Sequence, residues 1–452
     1  MGSPVESLQL TVHPRIKFKG DGSGEIESLN YDGRGVTHIG GKTTFIENAL
    51  PGEQVEYGIT RKKPTFDNAV ATRILRVSPD RVIEPRCKYF GSCGGCAIQH
   101  IRDEVQIGFK QQIVAEQLKH IGGIETDAWQ APLTGPHWGY RRRARLGARL
   151  VTKKGGVLVG FREKASTYVT DMNSCEILDE RVASVIPALR ELIGNTSIPD
   201  QIPQIEVAAA DNAVALVFRH LKPLTQQDIE LLKRFGSEHD IQVWLQPAGP
   251  DSVAPLSDTP PEPLYYGFDD SDIRIQFSPI DFTQINASIN RKMISLAIEW
   301  LDVDEHSHVL DLFCGLGNFS LPFAEKVAWV TGIEGSQKLV DGAAANAERN
   351  GLKNTDFRMA DLYEQADSFA WGDRPYNRVM LDPPRSGAME VLRLLPDEFA
   401  RKIVYVSCYP GTLARDAAYL VNSRGMRLSK IAVMDMFPQT THVETMALFE
   451  QQ

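Results

Sequence analysis

The sequence predicts an α/β multidomain protein in three parts: a small N-terminal β-barrel over residues 8–75, a central α+β domain over 76–262, and a C-terminal doubly wound, Rossmann-like domain over 263–452. Three observations carry that expectation. At 452 residues the chain exceeds one ordinary core, and usual domain sizes suggest about three units. The N-terminal stretch holds short alternating runs (LQLTV, GEIESLNY, KTTFIENAL, EQVEYGIT, AVATRILRV) cut by glycine, proline and asparagine turns, the rhythm of a small barrel. The last third instead alternates apolar strands (HVLDLFC, WVTGIEG, TDFRMADL, NRVMLDPP, KIVYVSC, ETMALFE) with helical patterns such as QKLVDGAAANAERNG. That alternation means βαβ units on a mostly parallel sheet.

Between these two regions the pattern is mixed. A cysteine loop, the helical DEVQIGFKQQIVAEQLKHIG, a run of basic strands, VALVFRHL and the helical QQDIELLKRFG follow one another, and the proline-rich QPAGPDSVAPLSDTPPEP (246–263) reads as a boundary loop. No run of apolar residues reaches membrane-spanning length, and MGSPVESLQL lacks the basic start and apolar stretch of a signal peptide. A cytoplasmic protein is expected, and no feature demands more than a monomer. The formal net charge of -9 argues against nucleic-acid binding over the whole surface, but it leaves room for a local basic face. One is available in YRRRARLGARLVTKKGG (140–156), where Arg141, Arg142, Arg143, Arg145, Arg149, Lys153 and Lys154 crowd together without an acid; Arg61, Lys62 and Lys63 form a smaller cluster. Such clusters are ordinarily solvated faces. Beside a chemical site they become candidate RNA contacts.

DLFCGLGNF (311–319) closes an apolar strand and opens a helix, so Gly315 and Gly317 can let the backbone approach a ligand at the carboxyl end of the sheet. Glu334, at the tip of the next strand, is placed to accept hydrogen bonds from ribose hydroxyls. Asp361, after the third, is placed to meet an adenine edge. The loop lacks the third glycine of a dinucleotide fingerprint, and D-x-F-x-G-x-G-x-F resembles the motif of S-adenosylmethionine-dependent methyltransferases.

LDPPR (381–385) and VSCYPGTLARD (406–416) end the fourth and fifth strands and so point into the same crevice. Arg385 stands where an amino-group methyltransferase would carry an aromatic residue, which turns attention to methylation of carbon. Uracil C5 is a poor nucleophile until a thiolate adds to C6, and Cys408 sits where that thiolate is needed. Glu444, opening HVETMALF's strand, can remove the C5 proton afterwards. Cys314, inside the glycine loop, is expected to be a small buried hydrophobe. His442 has no assignment.

Six cysteines in a reducing compartment suit ligands, catalytic thiols or core filling better than disulfides. Three of them, Cys87, Cys93 and Cys96, form C-x5-C-x2-C in CKYFGSCGGC, with Cys175 far downstream. Four such thiolates suit an iron–sulfur cubane or a zinc ion, and the spacing alone favours neither.

Taken together, DLFCGLGNFSLPFA, LDPPR, VSCYP, FPQTTHVETMALF and the cysteine loop resemble the bacterial RNA uracil-5-methyltransferases, most of all those that make 5-methyluridine in 23S ribosomal RNA. The likeness covers nearly the whole chain. It implies that the barrel is a TRAM domain of oligonucleotide-binding type, that S-adenosylmethionine is bound, and that a [4Fe-4S] centre, with zinc the alternative, sits on Cys87, Cys93, Cys96 and Cys175. Because methyl transfer by a thiolate needs no electron, a structural role is expected for that centre, with redox sensing the alternative. It carries cofactor contacts onto Gln284, Phe313, Asn318, Glu334, Asp361 and Asp382, the last also orienting substrate, the nucleophile onto Cys408 and the base onto Glu444. Phe282 is a candidate platform for a flipped uracil, with a core phenylalanine the equal alternative. The family usually has asparagine after the nucleophile, and this chain has Tyr409. Other readings are the same reaction on another ribosomal uridine or on transfer RNA, and a non-catalytic RNA-binding iron–sulfur sensor.

Overall fold

Alternation of apolar and polar residues sends every second side chain of the N-terminal strands inward, and the result is a seven-stranded sheet built from Leu8–Gln9, Asp21–Glu25, Ser28–Leu29, Gly35–Ile39, Lys42–Glu47, Gln54–Lys62 and Phe66–Arg76. The structure is a computed structural model and describes residues 7–10, 12, 16–363, 375–396 and 400–451. The sheet path runs from Asp21–Glu25 through the two long strands to Lys42–Glu47, Gly35–Ile39 and finally Ser28–Leu29. Its two edges are thus segments separated by only two residues of chain, so the sheet curls back toward itself, helped by register shifts between the long strands. Ile26, Ile46, Val55, Tyr57, Ala69 and Ile74 fill the interior. Gly35–Ile39 is absent from the sequence reading because its GVTHI run is short and half polar.

The chain divides into two compact units: Met1–Ile113, Phe161–Met172 and Phe437–Thr441 in one, Val114–Gly160, Asn173–Met436 and His442–Gln452 in the other. Within the first, Glu53 is fully buried and takes Arg81 on both oxygens, Nε at 2.6 Å and Nη2 at 2.8 Å. Its oxygens also accept the N–H groups of Leu50 and Ser78. This full set of partners is what makes a buried pair tolerable.

The second unit holds two large sheets. Ala254–Pro255, Ile241–Gln246, Val214–Arg219, Gln204–Ala209, Arg143–Val151 and Gly156–Gly160 lie side by side in that order. One pair in it, Val214–Arg219 with Ile241–Gln246, is parallel, joined through the helix Gln226–His239, whose start is fixed by a Thr225–Asp228 capping box. Residues 246–263, read as a loop, contain the short edge strand Ala254–Pro255; proline is accepted there because an edge strand has a side with no ladder bonds to donate.

The other sheet positions the site. Its strands are β1 (His308–Leu312), β2 (Trp329–Glu334), β3 (Thr355–Met359), β4 (Arg378–Leu381), β5 (Lys402–Ser407), β6 (Met426–Met434) and β7 (Glu444–Gln451), in the order β3-β2-β1-β4-β5-β7-β6. The first five are parallel, and β7 runs antiparallel to both β5 and β6. Near-continuous burial of β1, β4 and β5 follows from helices covering both faces. Sequence reading found all of these strands except β6. No helix among the described residues is long and apolar enough to cross a membrane.

Candidate active site

Strand order reverses between β1 and β4, and the loops after the parallel strands open there into one crevice. After β1 the chain turns through three left-handed residues, Phe313 (φ 66°), Gly315 (φ 54°) and Gly317 (φ 92°). Phe313 holds a conformation that costs a bulky residue on the order of 1–3 kcal/mol, so the surroundings must fix it. They do so from β2: the N–H groups of Phe313 and Cys314 both donate to the Ile333 carbonyl, at 2.9 and 3.1 Å. A Cβ at Gly317 would lie 1.9 Å from Leu321 Cδ1, whereas at Gly315 it would meet nothing within 4 Å. Gly315 therefore offers bare backbone to a ligand. Its N–H donates to Glu334 Oε2 at 3.1 Å, and Ser336 N–H donates to Oε1 at 3.2 Å, so the acid at the tip of β2 is held at the loop.

The other expected cofactor residues surround this turn. Asn318 forms a reciprocal amide pair with Asn290, 3.0 Å each way, and accepts the Tyr266 hydroxyl at 3.0 Å. Its side chain thus ties the loop to the helix Ala287–Leu301. Gln284 lines a small cavity with Tyr266, Thr283 and Asn290. Asp361 Oδ1 accepts the Tyr363 N–H at 2.8 Å, and the Tyr363 ring stands 5.9 Å from that of Phe313. Beneath the loop Asp311 is fully buried. The Ser320 hydroxyl donates to its Oδ2 at 2.5 Å while Oδ1 has no hydrogen-bond partner among the described residues. Burial first, and then the charges of Asp382 and Glu334, push its carboxyl up to about 7.

The reactive half comes from β4, β5 and β7. Leu381 of β4 is in register with Tyr405 of β5, and Ser407 of β5 with Thr445 of β7, so Asp382, Cys408 and Glu444 stand at the same end of three neighbouring strands. Burial pushes Asp382 up to about 7. Cys408 is pushed up to about 11, by burial foremost and then by the charges of Glu444 and Asp382, with Arg385 acting against them. A thiol surrounded in this way is a candidate nucleophile whose thiolate must be stabilised from outside. Cys314 is buried, and its thiol is raised well above the usual range by the same cause, which fits a core role.

Sequence reasoning gave Arg385 no part in the site beyond its place after LDPP, left His442 without an assignment and passed over Asp416. Arg385 Nη2 donates to His442 Nδ1 at 3.1 Å. Asp416, fully buried, binds the loop after β4 by accepting Ala388 N–H at 2.7 Å. The signal for His442 was its place two residues before Glu444; nothing local marks Asp416.

The remaining candidates lie as follows. Phe282 is 74% exposed, which removes the core alternative, and Tyr409 is 47% exposed beside the nucleophile. In the basic run, Arg142 pairs with Asp211, Arg143 Nη1 donates to the Pro279 carbonyl at 2.5 Å, and Arg141 Nε donates to the Arg143 carbonyl at 2.9 Å. Arg145 is 68% exposed and pairs with Glu206 at 3.0 Å. Arg141, Arg142 and Arg143 are thus committed inside the protein, whereas Arg145, Arg149, Lys153 and Lys154 are exposed.

Cys87, Cys93 and Cys96 belong to the first unit and Cys175 to the second, and no cysteine is in a disulfide. In the loop, Gly95 N–H lies 3.4 Å from Cys93 Sγ, and Gly94 N–H donates to the Arg162 carbonyl at 2.8 Å. Among the described residues no group of three or more His, Cys, Asp or Glu is arranged to hold a metal ion.

Residues 104–452 match the sequence profile of the family described as tRNA (Uracil-5-)-methyltransferase. A protein of Aromatoleum aromaticum named 23S rRNA (uracil(1939)-C(5))-methyltransferase RlmD is 48% identical over 428 residues, 94% of this chain and 99% of its own length. A protein of the same name from Nitrosococcus oceani is also 48% identical, over 94% of this chain and 95% of its own. Among solved structures, the Pyrococcus abyssi tRNA (uracil-54, C5)-methyltransferase in complex with S-adenosyl-L-homocysteine superposes with a TM-score of 0.70 at 23% identity, covering 94% of this chain and all of that one. That likeness concerns the fold.

Proposed function

The chain belongs to the tRNA (uracil-5-)-methyltransferase family, and from that premise we propose that it methylates C5 of a uridine in 23S ribosomal RNA, the uridine named 1939 in its relatives, through a covalent bond between Cys408 and the base. The observation that carries this reading is the meeting of Cys408, Glu444 and Asp382 at the ends of adjacent strands, beside the glycine loop.

S-adenosylmethionine supplies an electrophilic methyl group when bound. Phe313, Gly315, Gly317 and Glu334 shape its nucleoside subsite, with Glu334 taking the ribose hydroxyls; Gln284, Asn318 and Asp361 complete it. Cys408 Sγ, having lost its proton, bonds to uracil C6, and the electron pair of the C5–C6 double bond moves toward C5 and O4. That carbon would then take the methyl group, the electron pair of the broken S–CH3 bond staying on the cofactor's sulfur, which leaves as a neutral thioether. Glu444 removes the proton left on C5, the double bond re-forms, and the C6–S bond breaks with its electrons returning to sulfur. Asp382, neutral at pH below about 7, can donate as well as accept a hydrogen bond to the uracil edge. Phe282 offers a flat surface to the flipped base.

The three sheets take separate parts in this proposal. The curled N-terminal sheet acts as a TRAM domain on RNA, the central segment 76–262 carries Arg145 toward the same RNA, and the segment 263–452 performs the transfer. The protein works as a cytoplasmic monomer. A [4Fe-4S] cluster on Cys87, Cys93, Cys96 and Cys175 is proposed on their donor chemistry and on the family resemblance, with zinc the alternative that the spacing leaves open, and no step runs through it. Iron and sulfide analysis of protein purified without oxygen decides between them.

RNA containing 5-fluorouridine tests the covalent step. Because fluorine does not leave as a proton does, protein, cofactor and this RNA should give a denaturation-resistant adduct that maps to the Cys408 peptide. Glu444→Gln should accumulate the corresponding adduct on ordinary RNA. Tight RNA binding without any adduct would favour the sensor reading, and loss of 5-methyluridine from transfer RNA instead of 23S RNA in cells lacking the protein would redirect the substrate.

A further inference from the structure

The covalent reaction leaves Cys408 with a charge problem. Its thiolate must form where burial and two carboxylates, Glu444 and Asp382, oppose it, and among the described residues Arg385 is the cation that acts against them. Three contacts anchor the backbone around Arg385. Thr412 Oγ1 lies 3.2 Å from the Arg385 carbonyl and 3.1 Å from that of Tyr409, joining the arginine to the turn that carries the nucleophile. Arg415 Nη2 donates to the Ser386 carbonyl at 2.8 Å, and the Tyr363 hydroxyl donates to that of Gly387 at 3.0 Å. Asp416 completes the clamp: it accepts Ala388 N–H, the Tyr405 hydroxyl and Arg415 Nε, each at 2.7 Å. Gly387, at φ +80°, would place a Cβ 2.5 Å from that carboxylate, so the packing requires glycine there. Three of these four side chains belong to the helix Pro410–Asn422, which begins two residues after Cys408.

The backbone is fixed, but an arginine side chain is long and flexible. What holds its far end is His442, which takes Arg385 Nη2 on Nδ1 at 3.1 Å and stands two residues before Glu444. Arg385 is thereby tied through its backbone carbonyl to the turn bearing Cys408 and through its guanidinium to the residue two before Glu444. Nδ1 can accept this bond only while it carries no proton.

We propose that His442 is a positioning residue that holds Arg385 beside Cys408, and that Arg385 is the cation stabilising the thiolate both before it adds to the base and when it leaves. Arg385 neither gives nor takes a proton; the thiol proton goes to solvent, and the sulfur electron pair makes and later recovers the C6 bond. The inference rests on the covalent reading above, yet it can be tested without RNA or cofactor.

The experiment measures alkylation of Cys408 by iodoacetamide across pH in the full chain, following the Cys408 peptide by mass spectrometry, with circular dichroism as the check on folding. Arg385→Ala should slow alkylation near pH 8 by about tenfold and move its midpoint to higher pH, while Arg385→Lys stays near the parent. His442→Ala should shift the profile in the same direction by less, and His442→Gln, which keeps an acceptor, should recover most of it. Added to Arg385→Ala, His442→Ala should change nothing more. An unmoved profile in folded Arg385→Ala, or in His442→Ala should the former not fold, overturns the role of the arginine. Additive shifts in the double variant overturn the positioning role of the histidine. Failure of the methylation reading shows separately, as wild-type protein with this same thiol profile that forms no adduct with 5-fluorouridine RNA.

Discussion

The two halves of the crevice are built by different means. Around β1 and β2 the work is done by backbone: three left-handed residues, two N–H groups on one carbonyl, and a carboxylate held by the loop it faces. Around β4, β5 and β7 it is done by side chains pushed far from their usual ionisation, Asp382 to about 7 by burial and Cys408 to about 11 by burial and then by the charges of Glu444 and Asp382. A half made of backbone tolerates exchange of many side chains but little change of conformation. A half made of side chains behaves the other way round.

That contrast can be broken or sharpened by substitution. Cys408→Ser should have the largest effect, lowering kcat for methyl transfer to RNA by about 10⁴-fold or more while the affinity for S-adenosylhomocysteine stays near wild type, because the nucleophile is lost and the backbone half is untouched. Measurable turnover close to wild type would remove the proposed mechanism. Gly317→Ala should come next. Its left-handed φ and the overlap with Leu321 should weaken S-adenosylhomocysteine binding, read by calorimetry, by roughly 10–100-fold, a loss of about 1–3 kcal/mol. Binding as tight as wild type would show that the loop adapts after all.

A smaller effect concerns pH. The carboxyl of Asp311 titrates in the folded chain at about 7, above its ordinary value of 3.8, so between those values the folded state holds a proton that the unfolded state has lost. Stability from this group is therefore complete below pH 3.8 and is lost as pH rises through about 7. Asp311→Asn, neutral throughout, should flatten that fall, raising Tm near pH 8 relative to its effect near pH 5 by roughly 3 °C in thermal melts. An equal change at both pH values counts against a protonated Asp311. Smallest of all is Cys314→Ala, which should cost roughly 1 kcal/mol of stability in denaturant titration and leave kcat within about twofold, since this thiol packs in the core.

Legibility followed the same division. The glycine loop and Glu334 could be read from a short window because their job depends on residue type at fixed spacing along one turn. The placing of Cys408 and Glu444 was also readable, although they are 36 residues apart in number, because each stands at the end of an apolar strand, and the proposed chemistry asks for a thiol and a base there. The Arg385–His442 contact was not readable, since it joins two loops whose nearness depends on β7 inserting antiparallel between β5 and β6. The basic run misled in part. Arg141, Arg142 and Arg143 look solvated by composition, yet their partners Asp211 and the Pro279 and Arg143 carbonyls come from elsewhere in the fold or from the backbone itself.

What the sequence carried by itself was most of the elements and the candidate reacting groups, because strand periodicity, turn residues and nucleophile chemistry are properties of residues and their near neighbours. Tertiary structure alone decided which charges face Cys408, which arginines are spent inside the protein, and that Asp311 is fully buried. Ionisation depends on burial and on charges a few ångströms away in space, and neither quantity is carried by distance along the chain.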